Sequence, residues 1–216
     1  MYHNLDQLRT QYEERKQKLE FLVEEIRYSL SQELSRNKIK YHSLIHRIKE
    51  FDSFADKIRR KDVKEPFNEI HDVVGLRVVC LFLSDIEVIG EMIQNKFEVF
   101  EIDNKIDGVN TDVFGYMSVQ YKAKLRESTL DSEHDDARSY PFEIQVRTIA
   151  QDAWASISHH LDYKQDNLFS DKLRRDFHAL SGLFYVADTH FLLLKNEQSK
   201  YFMEKSSAQQ ITRADG

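Results

Sequence analysis

Residues 73 to 83 read VVGLRVVCLFL, eleven residues of which nine are apolar. The run is rich in β-branched side chains and shows no polar–apolar alternation, so it reads as a central strand covered on both faces. A strand of this kind needs a neighbour on each edge and a layer on each side, and the chain must therefore build a sheet around it. Its one charged residue, Arg77, has to reach a partner or a ligand, because a lone guanidinium in such a setting is expensive. A salt bridge to Asp72, at the mouth of the strand, or to Glu143 is the plainest structural answer.

Two further segments alternate strictly. In VFGYMSVQYKAKL (113–125), Tyr116, Ser118, Gln120, Lys122 and Lys124 fall on one face, and Met117, Val119, Tyr121, Ala123 and Leu125 on the other. In PFEIQVRT (141–148), Phe142, Ile144 and Val146 share one face and Glu143, Gln145 and Arg147 the other. Each is the signature of a half-buried strand. KFEVFEI (96–102) is a short strand as well. Helical spacing covers 3–35, where Leu5, Leu8, Tyr12, Leu19, Leu22, Val23, Ile26, Leu30 and Leu34 recur at three- and four-residue steps. Helices are also expected at about 40–61, at 84–95 with Ser84 or Asp85 as N-cap, at 149–161 and at 170–197. Polar loops fill 103–112 and 126–140. The expected fold class is α/β (α+β), a mixed sheet of about five strands with flanking helices. One domain over 1–200 divides into a helical part (1–65), a sheet core (66–148) and C-terminal helices (149–200), and a polar tail follows (201–216).

Composition removes several classes of function. The formal net charge is -6, which does not suit a protein that coats nucleic acid, although 31 Lys and Arg leave room for a local basic cleft. The single cysteine, Cys80, sits in the apolar strand as a small core residue; it allows no internal disulfide and no cysteine-rich metal site, in keeping with a cytoplasmic location. The N-terminus is polar and lacks a signal-peptide core, and no apolar run approaches about 18 residues, so no membrane is expected as a partner.

The polar faces of the strands carry the chemistry. A solvated sheet face is the bland explanation for them. Asp72 and Glu143, two carboxylates from different strands, can instead hold one Mg²⁺, with phosphate oxygens and water completing its octahedron. Basic residues upstream, Arg47, Lys49 and Lys57 with Ser53 among them, can clamp phosphates. Arg59, Arg60 and Lys61 read as a solvated helix face. Trp154 reads as core, and the histidines at 159, 160 and 178 as exposed helix positions. The His71-Asp72 pair does not imply a metal-dependent hydrolase, because the roughly 70 residues upstream are too few for such a domain.

The order HRIKEFDS, HDVVGLRVV, FGYMSVQY, FEIQVRT and DAWASISHHLDYK resembles the synthetase domain of the RelA/SpoT-homologue family, in particular its small single-domain alarmone synthetases. The likeness runs over about residues 40–165, and five motifs in order carry it. It implies a nucleotidyltransferase-like synthetase fold and transfer of pyrophosphate from ATP to the ribose 3′-hydroxyl of GDP or GTP, giving ppGpp or pppGpp. Under the resemblance, Arg47 and Arg77 stack on the two faces of adenine, and Lys49, Ser53 and Lys57 hold ATP phosphates. Asp72 binds Mg²⁺, and Glu143 shares the metal or takes the 3′-hydroxyl proton. Tyr116 stacks on the acceptor base; Ser118, Gln120, Lys122 and Lys105 lie toward the acceptor; Arg147 and His159 complete the lining. The chain departs from the family pattern at Gln120, usually His, at Ser158, usually Glu, and in the poorly basic segment EIDNKIDGVNTDV before Gly115. A divergent branch with such loops includes toxins that pyrophosphorylate the 3′ end of tRNA. Three readings follow: a (p)ppGpp synthetase, a tRNA-modifying toxin, and a degenerate domain that binds without catalysis. The partners they imply are ATP with GDP or GTP, tRNA, an antitoxin protein and a second copy of the chain.

Overall fold

A computed structural model describes residues 5–104, 118–126, 137, 139–161 and 170–214. The elements run α1 (Leu5–Arg36), β1 (Tyr41–Ile48), α2 (Phe51–Lys61), α3 (Pro66–Glu69), β2 (Val74–Cys80), α4 (Leu83–Lys96), β3 (Glu98–Asn104), β4 (Val119–Lys124), β5 (Phe142–Thr148), α5 (Ile149–His160) and α6 (Asp171–Ala214). The five strands form one sheet in the order β1-β2-β5-β4-β3. β2 and β5 run parallel, and the other neighbouring pairs are antiparallel. The expected mixed sheet with flanking helices is present, and the apolar run lies near its centre as β2.

One face of the sheet is apolar. Val74, Leu76 and Val78 of β2, Phe142, Ile144 and Val146 of β5, and Val119, Tyr121 and Ala123 of β4 are buried there. α1 and α4 cover it: Leu19, Leu22, Ile26, Leu30 and Leu34 of α1 and Ile89 and Ile93 of α4 are almost completely enclosed. Their three- and four-residue spacing puts them on one helical stripe, and each contributes about 1.5–3 kcal/mol over exposure to water. Cys80 is fully buried in this layer, and burial raises its thiol to about 12, so it behaves as a core side chain.

The helix expected over 40–61 is half strand. Leu44, Ile48 and Phe51 have helical spacing, but a step of four is also a multiple of the strand period, so Leu44 and Ile48 fit either structure. The open edge of β2 decides: Leu44 pairs with Val78, His46 with Leu76 and Ile48 with Val74. α4 starts one residue earlier than expected, at Leu83, and Asp85 is not the N-cap; its carboxylate instead accepts from the Phe82 amide at 3.1 Å.

The segment expected as a polar tail over 201–216 is helical as far as Ala214, where α6 ends. Within it, Arg175–Ser206 contains an 18-residue window of mean hydropathy 1.2, long and apolar enough by composition to cross a membrane, contrary to the sequence expectation. Its charges make bonds to the domain: Asp188 accepts from the Thr148 hydroxyl at 2.5 Å, and Lys195 reaches Asp85 at 2.7 Å and Ser84 at 2.9 Å. Burial raises the Asp188 carboxyl while the Thr148 hydrogen bond opposes that rise. A second, smaller cluster joins α5 to α6, with Trp154 against Phe177 at 5.5 Å.

Candidate active site

Residues paired across neighbouring strands point to the same face, so the register orders the polar side of the sheet. One row reads Arg47, Gly75, Glu143, Lys122 and Glu101 from β1 to β3; the next reads Ile45, Arg77, Gln145, Gln120 and Asp103. Alternation places Gln120 with Lys122 on one face of β4 and Glu143, Gln145 and Arg147 on one face of β5; the register brings both sets to the face that carries Arg77. Arg47, exposed on β1, lies over Gly75, whose missing side chain leaves the row open at that point: a Cβ there would stand 3.9 Å from Arg47 Cγ and Nε.

The lower end of this face is cationic. Lys49 follows β1, and its amide donates to the Val73 carbonyl at 2.8 Å. The buried Tyr12 hydroxyl of α1 donates to the Lys49 carbonyl, so the first helix also anchors this corner. Lys49 Nζ stands 2.9 Å from one Asp72 oxygen and Lys57 Nζ 2.7 Å from the other. Burial alone would raise the Asp72 carboxyl, but the hydrogen bonds from Lys57 and Lys49 outweigh it and hold the group below the ordinary aspartate range. Asp72 is therefore ionised at any working pH. Two ammonium groups gathered by one carboxylate leave a surplus positive charge, which suits a polyphosphate. Ser53 is exposed on α2, four residues before Lys57 and so on the same side of that helix.

The upper end is covered by α5. Thr148 caps this helix, accepting from the Gln151 amide at 3.1 Å while Gln151 Oε1 accepts from the Thr148 amide at 3.0 Å. That cap places Asp152 above the sheet. Arg77 Nη1 donates to Asp152 Oδ1 at 3.0 Å, so the partner of Arg77 is neither Asp72 nor Glu143. Asp72 is already held by the two lysines, and Glu143 Oε1 accepts from Gln145 Nε2 at 2.6 Å. Arg147 is buried between these groups, donating to Gln145 Oε1 at 2.8 Å and to Asp152 Oδ1 at 3.4 Å. Burial and the nearby Arg77 lower its guanidinium to about 10, although Asp152 opposes the shift.

Among the acceptor-side residues named from sequence, Ser118 is fully buried, and its hydroxyl has no hydrogen-bond partner among the described residues. Gln120 is half-buried opposite Gln145. Lys122 pairs with Glu101 at 2.5 Å, on the side of the row away from Glu143. His159 is exposed on α5 beside the buried Ser158. Tyr116 and Lys105 lie outside the described residues. Sequence reading missed Asp152, Glu101 and Tyr12. Asp152 stands in the first turn of α5, and its partners are set only once that helix is folded over the sheet.

The described residues contain no group of three or more His, Cys, Asp or Glu side chains placed to hold a metal. Asp72, just before β2, and Glu143, beside Gly75 on β5, supply two carboxylates. That set fits Mg²⁺ delivered with nucleotide phosphates, which needs only one or two protein carboxylates, and does not fit a fully protein-ligated resident ion.

Comparison with known proteins gives a consistent picture. A family model described as a region found in RelA / SpoT proteins matches residues 46–168. GTP pyrophosphokinase YwaC of Bacillus subtilis is 29% identical over 157 residues, which covers 70% of this chain and 72% of that protein. GTP pyrophosphokinase YjbM of the same bacterium is 30% identical over 131 residues, 59% of each. The small alarmone synthetase 1 from Bacillus subtilis, solved bound to its product pppGpp, shares the fold at a TM-score of 0.71 and 24% identity, over 87% of this chain and 97% of that one.

Proposed function

The chain belongs to the RelA/SpoT family, and we propose that it is a pyrophosphokinase that moves the β,γ-pyrophosphoryl group of ATP to the ribose 3′-hydroxyl of GDP or GTP, yielding (p)ppGpp and AMP. The observation that carries this reading is the register row Arg47–Gly75–Glu143–Lys122, flanked by the Asp72–Lys49–Lys57 cluster. An arginine, a pair of lysines and a carboxylate ordered along one side of the sheet support it.

In this reading Arg47 and Arg77 take the adenine between their planar guanidinium groups. Arg77 is held through Nη1 by Asp152. Lys49 and Lys57 turn from Asp72 to the ATP phosphates, with the Ser53 hydroxyl beside them. Glu143 accepts the 3′-hydroxyl proton as the oxygen attacks the β-phosphorus, and the bond from the β-phosphorus to the oxygen bridging to the α-phosphate breaks to release AMP. Asp72 and Glu143 would hold Mg²⁺, which when bound supplies neutralisation of phosphate charge. Gln120, Lys122 and Ser118 lie toward the acceptor, with Tyr116 preceding them in sequence.

The test is incubation with γ-labelled ATP and, separately, GDP, GTP and deacylated tRNA. Label in GDP or GTP supports the proposal. Label in tRNA alone moves the acceptor to RNA, and no label in any of them supports a binding domain.

A further inference from the structure

Five side chains on the polar face form one continuous hydrogen-bonded chain. It runs from Arg77 to Asp152 Oδ1 (3.0 Å), from Asp152 to Arg147 (3.4 Å), from Arg147 to Gln145 Oε1 (2.8 Å) and from Gln145 Nε2 to Glu143 Oε1 (2.6 Å). The side-chain exposures of Arg77, Asp152 and Arg147 are 28%, 21% and 4%, so water competes weakly for these bonds. Gln145 is the turning point. Its oxygen faces a donor-only guanidinium and its nitrogen an acceptor-only carboxylate, so the two neighbours fix which way the amide points. Asp152 is the other: one carboxylate oxygen serves two guanidinium groups that would otherwise repel each other in a half-buried space.

We propose that Asp152 is a positioning residue, which fixes the planes of Arg77 and Arg147 and, through Gln145, the aim of Glu143. The inference rests on the assignment of Arg77 to ATP and Glu143 to the 3′-hydroxyl made above. The nucleotide-stacking arginine and the proton acceptor are then two ends of one polar chain, and α5 sets their geometry from above the sheet. Asp152 itself touches neither nucleotide. Its charge cancels that of one guanidinium, and its shape orients both.

Two variants separate positioning from mere packing. Asp152→Asn leaves two facing guanidinium groups with no anion between them. Loss of a charge-assisted hydrogen bond predicts a rise in KM for ATP on the order of tenfold, and Asp152→Glu should recover part of it. Gln145→Met cuts the chain beyond Arg147, and kcat should fall on the order of tenfold with KM for ATP unchanged. The guanidinium N–H resonances of Arg77 and Arg147, measured by NMR on the whole protein, give a readout independent of any acceptor. They should be sharp and slowly exchanging in the wild type, lost in Asp152→Asn and retained for Arg77 in Gln145→Met. If Asp152→Asn does not fold, Gln145→Met and the wild-type resonances decide. Unchanged resonances and KM in Asp152→Asn, or a lower Tm with unaltered kinetic constants in both variants, would overturn the inference. A wild type that transfers pyrophosphate to no acceptor refutes the functional reading instead, while the resonances still report on the chain.

Discussion

Gly90, inside α4, faces the hydroxyl of Tyr121 on β4, and the fit allows no side chain. A Cβ at position 90 would stand 2.1 Å from Tyr121 Oη and 3.1 Å from its Cζ. The tyrosine is 5% exposed and sits on an interior strand, so its ring has little room to retreat. At 2.1 Å the clash falls in the upper part of the overpacking range, so Gly90→Ala should cost about 2–3 kcal/mol, against about 1 kcal/mol gained from helix propensity. The net expectation is a loss of about 1–2 kcal/mol, a fall of roughly 2–8 °C in Tm for a chain of this size. Tyr121→Phe removes the offending oxygen and leaves only the 3.1 Å approach, which a shift of a few tenths of an ångström relieves. In that background Gly90→Ala should be close to neutral. Urea unfolding of the four proteins, followed by far-UV circular dichroism, gives a coupling energy, expected at about 1–2 kcal/mol. Gln120 and Lys122 flank Tyr121 on the opposite face, so KM for the acceptor should rise in Gly90→Ala and recover in the double variant. An equal cost for Gly90→Ala in both backgrounds would refute the argument.

Two other perturbations probe the nucleotide end. Asp72→Asn should abolish transfer while the fold survives; near-normal turnover with Mg²⁺ present would remove Asp72 from the phosphate site. Its effect on stability has a definite sign: the folded-state carboxyl lies below its unfolded value, so its contribution is present above the unfolded value of about 4 and is lost as pH falls through the lower folded one. The stability gap between wild type and Asp72→Asn should accordingly shrink as the solution is acidified, and a gap that widens would contradict the ion-pair account. Arg77→Lys keeps charge but loses the flat group held by Asp152, so KM for ATP should rise roughly tenfold; a rise confined to the acceptor would place the two nucleotides the other way round.

Most of this face was legible in the sequence because a strand has period two. Alternation in YMSVQYKAKL and FEIQVRT fixed which side chains share a surface before any pairing was known, and the unbroken apolar run of β2 placed Arg77 at the centre. β1 was hidden because Leu44 and Ile48, four apart, satisfy helix and strand alike, and only the open edge of β2 chooses between them. Asp152 was hidden for a different reason. An acid in the first turn of a helix is ordinary, and nothing local says that the helix folds back over two arginines. The C-terminal extent of α6 was equally unreadable: its last third is polar in sequence, and the structure continues the helix from the apolar stretch before it.

The central claim is that this sheet face joins the β-phosphorus of ATP to a ribose 3′-oxygen. The most direct measurement is phosphorus NMR with mass analysis of the products from ATP and GDP, run beside 3′-deoxy-GDP and beside the Glu143→Gln variant. The account predicts one AMP per ppGpp formed, a pyrophosphate ester at the 3′ position, and no transfer with the deoxy acceptor or the variant. Formation of ADP in place of AMP, or an equal yield from 3′-deoxy-GDP, would contradict it.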